Sequence, residues 1–424
     1  MRKEITSRIK KDYPFLIDQK TGIINHVFEN EIDDFQDYYS ISAIVNDSAK
    51  YDKKWLADRI GSGTTNDYNR SLESALGEAI ERYCGNIVKN EIVFKAKESD
   101  LKNKKVYNTS HFIQYSEKQY KMEKFPFKKY VATDNTYWVN GKSLKDGCEK
   151  VVPANLIWVN YLQIDPHFPR YNFPHLSGIA AGKNIKEALL SAISEIIERD
   201  STMKWWIKGV DSKLIKSEVV NDYLSFSIYE LKSVIPTIAA FLWDDKNDLC
   251  NVGFATRFDF ETAVTKAKSE AIQLRQSALR HLNSTLYFNK SYRGGPEKYL
   301  KPKSKSRNYK QIFRDDFKDM YDLVHNTQYY LDPEAVKDLK KFRQIKSSVP
   351  SDYRIKNLEE LIENILNKYE DIIYVDITTQ DAQKAGYTVV RVLIPGMIPN
   401  APTAYPPLGM FDEGEFNLVP LPHS

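Results

Sequence analysis

Cysteine is scarce and scattered. Cys84, Cys148 and Cys250 are the three in 424 residues, and no two form a Cys-x-x-Cys pair. A disulfide framework is therefore not expected, and the pattern suits a reducing, cytoplasmic setting. Long apolar runs are missing too. The longest are Ile235–Trp243 and the stretch around Val389–Ile398, well short of the ~18 residues of a membrane span. The start, Met1-Arg-Lys-Glu-Ile-Thr-Ser, has no apolar signal core. Charge of one sign is not in excess: 61 Lys and Arg against 57 Asp and Glu leave a formal +4. That field is too weak to imply nucleic-acid binding. The seven histidines are scattered, with neither His-Glu-x-x-His nor a Cys/His zinc spacing. No Gly-x-Ser-x-Gly nucleophile elbow is present.

What remains is an ordinary globular composition: 42% hydrophobic, 28% charged and 12% aromatic residues. The aromatic content excludes disorder over most of the chain. The length suits two or three ordinary domains or one large α/β or α+β unit, and no obvious linker separates domains. Residues 1–60 read as short strands and turns. Helices are predicted at about 67–84, at Glu187–Ile207 and at roughly 260–283. Val151–Tyr161, Ile235–Trp243, Val252–Phe258, Ile372–Thr378 and Thr388–Ile394 have strand character. The basic run 301–310 reads as a solvated loop. Residues 395–424 hold seven of the 18 prolines, which predicts an extended tail rather than a helix. The expected division is a strand-rich segment 1–60, a core 61–394 and a proline-rich tail 395–424.

A weak internal repeat stands out. Ser74-Ala-Leu-Gly-Glu78-Ala-Ile-Glu81-Arg82 and Ser191-Ala-Ile-Ser-Glu195-Ile-Ile-Glu198-Arg199 share the spacing Ser-x-x-x-Glu-x-x-Glu-Arg. Each follows a glycine-bearing loop, Gly61-Ser-Gly-Thr-Thr65 and Ser177-Gly-Ile-Ala-Ala-Gly-Lys183. On a helix, positions i, i+4, i+7 and i+8 share a face. Ser74, Glu78, Glu81 and Arg82 then form a polar stripe, while Ala75, Leu76, Ala79 and Ile80 pack inward. The second helix repeats this and adds Glu187. A third offers Glu270, Gln273 and Arg275. One such stripe suits a solvated surface helix. Two stripes and a third carboxylate helix, if they converge, need a cation between them. Oxygen ligands without His or Cys suit Mg2+, which comes with nucleotide phosphates. Arg82, Arg199 and Arg275 would neutralise those phosphates. A P-loop is rejected: Gly178-Ile-Ala-Ala-Gly182-Lys183-Asn184 is one residue short and ends in Asn. The glycines either admit an anion near a helix N-terminus or make a plain strand-to-helix turn. Trp205-Trp206 reads as a core anchor.

Taken in order, residues 74–83, 177–182, 187–190, 195–200 with Trp205, and 270–275 resemble the YcaO family, from about Thr21 to the C-terminus. The resemblance implies an α+β, YcaO-type fold, with a pseudo-duplicated loop–helix unit around a carboxylate-rich ATP site, and an ATP- and Mg2+-dependent enzyme that activates a backbone amide. Carried over by motif position, Glu78, Glu81, Glu195 and Glu198 are the Mg2+-ATP residues. Ser74, Arg82, Glu187, Arg199, Glu270, Gln273 and Arg275 are nucleotide contacts. The family's Gly-Lys-Gly is Gly61-Ser62-Gly63 here. Lys183 stands where Asn is common and is a candidate for the missing cation.

The ending Val-Pro420-Leu-Pro422-His423-Ser424 is similar to the proline-rich C-terminus of azoline-forming cyclodehydratases, the stand-alone D component of thiazole/oxazole peptide biosynthesis. It implies a tail that reaches the site, with His423 or the terminal carboxylate moving protons. Deleting Val419–Ser424 is then expected to abolish ring formation and spare ATP binding. The substrate implied is a ribosomal precursor peptide, cyclised at Cys, Ser or Thr in bacteriocin-like natural-product biosynthesis. The partners implied are a leader-binding protein of the E1-like or ThiF-like C-component kind, a separate FMN dehydrogenase where azolines are oxidised, and a second copy in a homodimer. Two alternatives stay open: a YcaO-type enzyme making thioamides or amidines, and a non-catalytic scaffold that binds nucleotide or peptide.

Overall fold

A computed structural model describes residues 2–46, 59–102, 104–283, 299–344 and 347–423. The chain opens with an antiparallel meander of β1 (Arg2–Glu4), β2 (Ile24–Asn30), β3 (Tyr39–Val45) and β4 (Ile60–Thr65), followed by helix α1 (Tyr68–Asn86). A second sheet runs in the order β5 (Phe94–Lys97), β6 (Asn135–Ser143), β13 (Ile373–Asp376), β14 (Thr388–Leu393), β8 (Ile179–Gly182), with β7 (Glu149–Pro153) also on β6. Helix α2 (Ile185–Lys208) follows β8. A second meander then joins β9 (Ser212–Val219), β10 (Leu224–Leu231), β11 (Thr237–Asp244) and β12 (Leu249–Thr256), followed by helix α3 (Phe260–Asn283). Mixed helix and sheet is the fold class read from the sequence.

Each helix starts where the sequence supplies a cap. Asp67 accepts from the Arg70 N–H at 2.9 Å, Asn184 from Glu187 at 3.1 Å and Asp259 from Thr262 at 2.8 Å. Helix α2 stops at Gly209, whose φ of 67° suits glycine. The apolar faces land on the sheets. Ala75, Leu76, Ala79 and Ile80 are fully buried, as are Ala188, Ala192 and Ile193 on α2 and Ala263, Ala267, Ala271 and Ile272 on α3.

The segment read as a glycine loop, Gly61–Thr65, lies in strand β4. Its glycines serve close packing instead of a turn. A Cβ on Gly61 would lie 2.3 Å from the Ala75 carbonyl oxygen, and one on Gly253 of β12 would lie 2.1 Å from that of Ala267. Helix backbone therefore presses directly on strand backbone at both places. The same strand–helix step recurs at β8–α2. The repeat seen twice in the sequence is thus present three times in space.

Other expectations are adjusted. Only the first part of Val151–Tyr161 is strand, because Ala154–Leu156 turns into a short 3-10 helix. The tail is extended apart from the 3-10 turn Leu408–Met410. It packs against α2: the Trp206 indole N–H donates to the Val419 carbonyl at 2.7 Å. Trp205 and Trp206 are both buried in an aromatic cluster with Phe342. Among the described residues no helix is long and apolar enough to cross a membrane.

Candidate functional site

The three helices point their polar stripes into one cavity of about 480 Å³, within the range of small-molecule sites. The carboxylates are positioned by backbone N–H groups of β4, β8 and β12 and of the turn that leads into β8. Glu78 accepts from the Ser62 N–H at 2.7 Å, Glu81 from Ala181 at 2.9 Å, Glu195 from Gly178 at 2.9 Å and Glu270 from Phe254 at 2.6 Å. Each of these bonds uses one oxygen of its glutamate. At Glu78 and Glu270 the close strand–helix packing brings the carboxylate within reach of the strand N–H. The anions held by these N–H groups are therefore the protein's own glutamates. Glu198, from α2, is 7% exposed and joins them.

Cations interleave with the acids. Arg82 donates to Glu78 at 2.6 Å. Arg199 lies 3.8 Å from Glu195 and 3.6 Å from Glu198. It also donates to His423 Nε2 at 3.0 Å, while His423 Nδ1 donates to the Val252 carbonyl at 3.0 Å. That pattern fixes His423 as the neutral Nδ1–H tautomer. Burial, with Arg199 beside it, pulls His423 down to about 3. Both ring nitrogens are engaged, so a proton-carrying part for His423 finds no free lone pair, and the ring instead orients Arg199. Ser424, and with it the terminal carboxylate, lies outside the described residues.

Burial raises the pKa of Glu195, Glu198 and Glu270 above the ordinary carboxylate range. Burial likewise pushes Glu81 up to about 8, reinforced by Glu195 and Glu78 and opposed by the Ala181 N–H and Arg82. Such a cluster is unfavourable as bare anions and favourable around a cation. No three His, Cys, Asp or Glu side chains among the described residues surround one point closely enough to hold a metal ion alone. Mg2+ typically takes one or two carboxylates and completes its shell with waters and phosphate oxygens.

Ser74, Glu78, Glu81, Arg82, Glu195, Glu198, Arg199, Glu270, Gln273 and His423 line the cavity. Other expected contacts lie elsewhere. Arg275 is 1% exposed and paired with Asp244 at 2.7 Å and Asp34 at 2.8 Å, pinning the β2–β3 connection to α3. Glu187 caps its own helix, accepting from the Lys183 N–H at 3.0 Å. The Lys183 ammonium lies 3.6 Å from the centre of the Tyr387 ring. Pro420 accepts from the Tyr330 hydroxyl at 2.7 Å, and Pro422 is buried; neither lines the cavity. Arg257 and Lys266 do line it and escaped the sequence reading. Lys266 had a signal, since it stands one helical turn before Glu270; Arg257 had none.

Fold and site define a mixed α/β protein that gathers acids and arginines around a cavity without a P-loop. The profile of the YcaO cyclodehydratase, ATP- and Mg2+-binding, family matches residues 62–398. A solved heterocyclase in complex with substrate and cofactor superposes with a TM-score of 0.66 at 18% identity, covering 93% of this chain and 52% of that one. YcaO from Methanopyrus kandleri bound with AMPPCP and Mg2+ gives 0.58 at 16% identity, covering 94% of each chain. A chain of the E. coli microcin synthetase McbBCD complex gives 0.52 at 14%, covering 88% of each. An uncharacterised protein of Methanothermobacter thermautotrophicus is 24% identical over 283 residues, 61% of this chain and 65% of that protein. This chain therefore spans about half of the heterocyclase and under two thirds of that relative. The chain belongs to the YcaO cyclodehydratase family, and the cofactors in the family's description, ATP and Mg2+, are those expected from the sequence.

Proposed function

We propose that the chain is an ATP-dependent cyclodehydratase that forms thiazolines or oxazolines from Cys, Ser or Thr of a ribosomal precursor peptide. The observation that carries this is the convergence of glutamates from three helices, with Arg82 and Arg199, on one cavity. Mg2+-ATP, when bound, supplies the phosphoryl group that makes an amide oxygen a leaving group. Glu78, Glu81, Glu195 and Glu198 would hold the metal together, one or two of them directly and the others through waters in its shell. Arg82, Arg199, Arg257 and Lys266 would balance phosphate charge. The peptide's own thiol or hydroxyl would attack the preceding carbonyl carbon and close the ring, the resulting oxyanion would take the phosphoryl group, and loss of phosphate with the amide proton would leave the C=N bond of the azoline. The protein's part is positioning and charge neutralisation, as in phosphoryl transfer generally. A leader-binding partner, a separate FMN dehydrogenase, a homodimer and a cytoplasmic setting belong to the same proposal.

The test combines the chain, Mg2+-ATP, a Cys/Ser/Thr-rich peptide encoded beside its gene and the neighbouring partner protein. Loss of one water per ring, with ADP and phosphate released, is the expected product. A peptide that exchanges oxygen for sulfur would favour the thioamide reading. An unmodified peptide with no ATP consumed would leave the scaffold reading.

A further inference from the structure

Arg391 sits in the middle of β14, flanked by Val389, Val390, Val392 and Leu393, all buried. It is itself 1% exposed. Among the described residues no carboxylate lies within ion-pair distance of it. Its Nη1 donates to the His175 carbonyl at 3.2 Å, its Nη2 lies 3.4 Å from His175 Nδ1, and its Nε has no partner. A charge in such a place is expensive, and an apolar side chain of similar length would ordinarily be as stable there or more so.

The surroundings indicate what the charge does. Arg391 pairs with Ile179 across to β8, and the Val392 N–H donates to the Gly178 carbonyl at 2.7 Å. The stretch His175–Gly178, gripped at its first residue by the guanidinium, presents the Gly178 N–H that holds Glu195. Glu195 is also the acid whose field acts on Arg391. We infer that Arg391 is a positioning residue for the nucleotide cavity: it clamps the turn that carries Glu195 and places a fixed, buried positive charge behind it. The side chain touches no cavity group directly. Its effect passes through the His175–Gly178 backbone and through the low-dielectric interior, where charges act over longer distances than in water. Burial draws its pKa down to about 10, which still leaves it charged near neutrality.

This inference rests on the nucleotide reading above. The test is calorimetric titration of the full chain with Mg2+-ADP, beside thermal unfolding, for wild type, Arg391→Met and Arg391→Lys. Arg391→Met is expected to keep or raise the unfolding temperature and to weaken binding about tenfold, the size of one through-protein charge interaction. Arg391→Lys is expected to recover most of the affinity. Arg391→Met binding like wild type, or Arg391→Lys binding as poorly as Arg391→Met, overturns the inference. Affinity unchanged while stability falls would make Arg391 a packing residue and overturns it as well. Wild type that binds no Mg2+-ADP overturns the nucleotide reading itself, a different result from binding that ignores residue 391. Should Arg391→Met fail to fold, Arg391→Gln takes its place: affinity like wild type overturns the inference, and a loss of about tenfold that Arg391→Lys recovers supports it.

Discussion

The acids of the cavity were legible in the sequence because helical spacing puts them on one face. Glu78, Glu81 and Arg82, and their counterparts Glu195, Glu198 and Arg199, lie where the stripe placed them. Arg275 was misplaced for a reason the same geometry contains. Five residues from Glu270 is about 140° around a helix, whereas Lys266, four residues before it, is only about 40° away. Glu187 stands eight residues before Glu195, roughly 12 Å along the axis, and caps the helix instead. The raised Glu81 gives a test at this scale. Its carboxyl holds a proton more tightly folded than unfolded, up to about 8 against an ordinary 4.5. Its contribution to stability is greatest below the unfolded value and is lost as pH rises through the folded one. We expect the unfolding temperature of the metal-free protein to fall from about pH 6 to about pH 8.5, and Glu81→Gln to flatten that slope. Parallel slopes for the two proteins would show that Glu81 titrates normally.

At the scale of elements, three strand–helix steps build the site, and two were visible beforehand. The third, β12–α3, carries Glu270 and Gln273 but not the Glu-x-x-Glu-Arg spacing, so it stands outside the sequence repeat. Glycine also misled. Gly61 and Gly63 signalled a turn, yet their lack of a Cβ is used on a strand, against α1. Gly253 is the counterpart on β12, and Gly253→Ala would put a methyl 2.1 Å from the Ala267 oxygen. Such overpacking against backbone should cost about 2–3 kcal/mol, read as a lower denaturant midpoint. Gly77→Ala is the control: nothing lies within 4 Å of its added methyl, and a helical alanine should stabilise by up to about 1 kcal/mol. Equal effects at the two positions would argue against close packing as the reason for Gly253.

Across the whole molecule, the extended character of the tail was legible from its prolines, but its contacts were not. They depend on side chains far along the chain, Trp206 at 213 residues from Val419 and Tyr330 at 90 from Pro420. The tail delivers His423 to Arg199, so its effect should reach nucleotide binding as well as ring closure. Deleting Val419–Ser424 is now expected to weaken Mg2+-ATP binding about tenfold, the cost of one charge-assisted hydrogen bond and its orientation, alongside loss of ring formation. Calorimetry of the truncated chain checks this. Full affinity with ring formation abolished would return the tail to acting on the substrate alone, as the sequence first suggested.

The central claim is that glutamates from facing helices, rather than a P-loop, hold Mg2+-ATP. Titration of the purified full chain with Mg2+-ATP analogue tests it most directly, in wild type and in Glu78→Ala, Glu195→Ala and Glu198→Ala. The expected result is one site in wild type. A loss of at least about tenfold in each variant, the cost of a charged contact, should accompany near-UV and far-UV spectra like those of wild type. Unchanged affinity in all three variants would contradict the claim and return these glutamates to the part of ordinary charged helix faces.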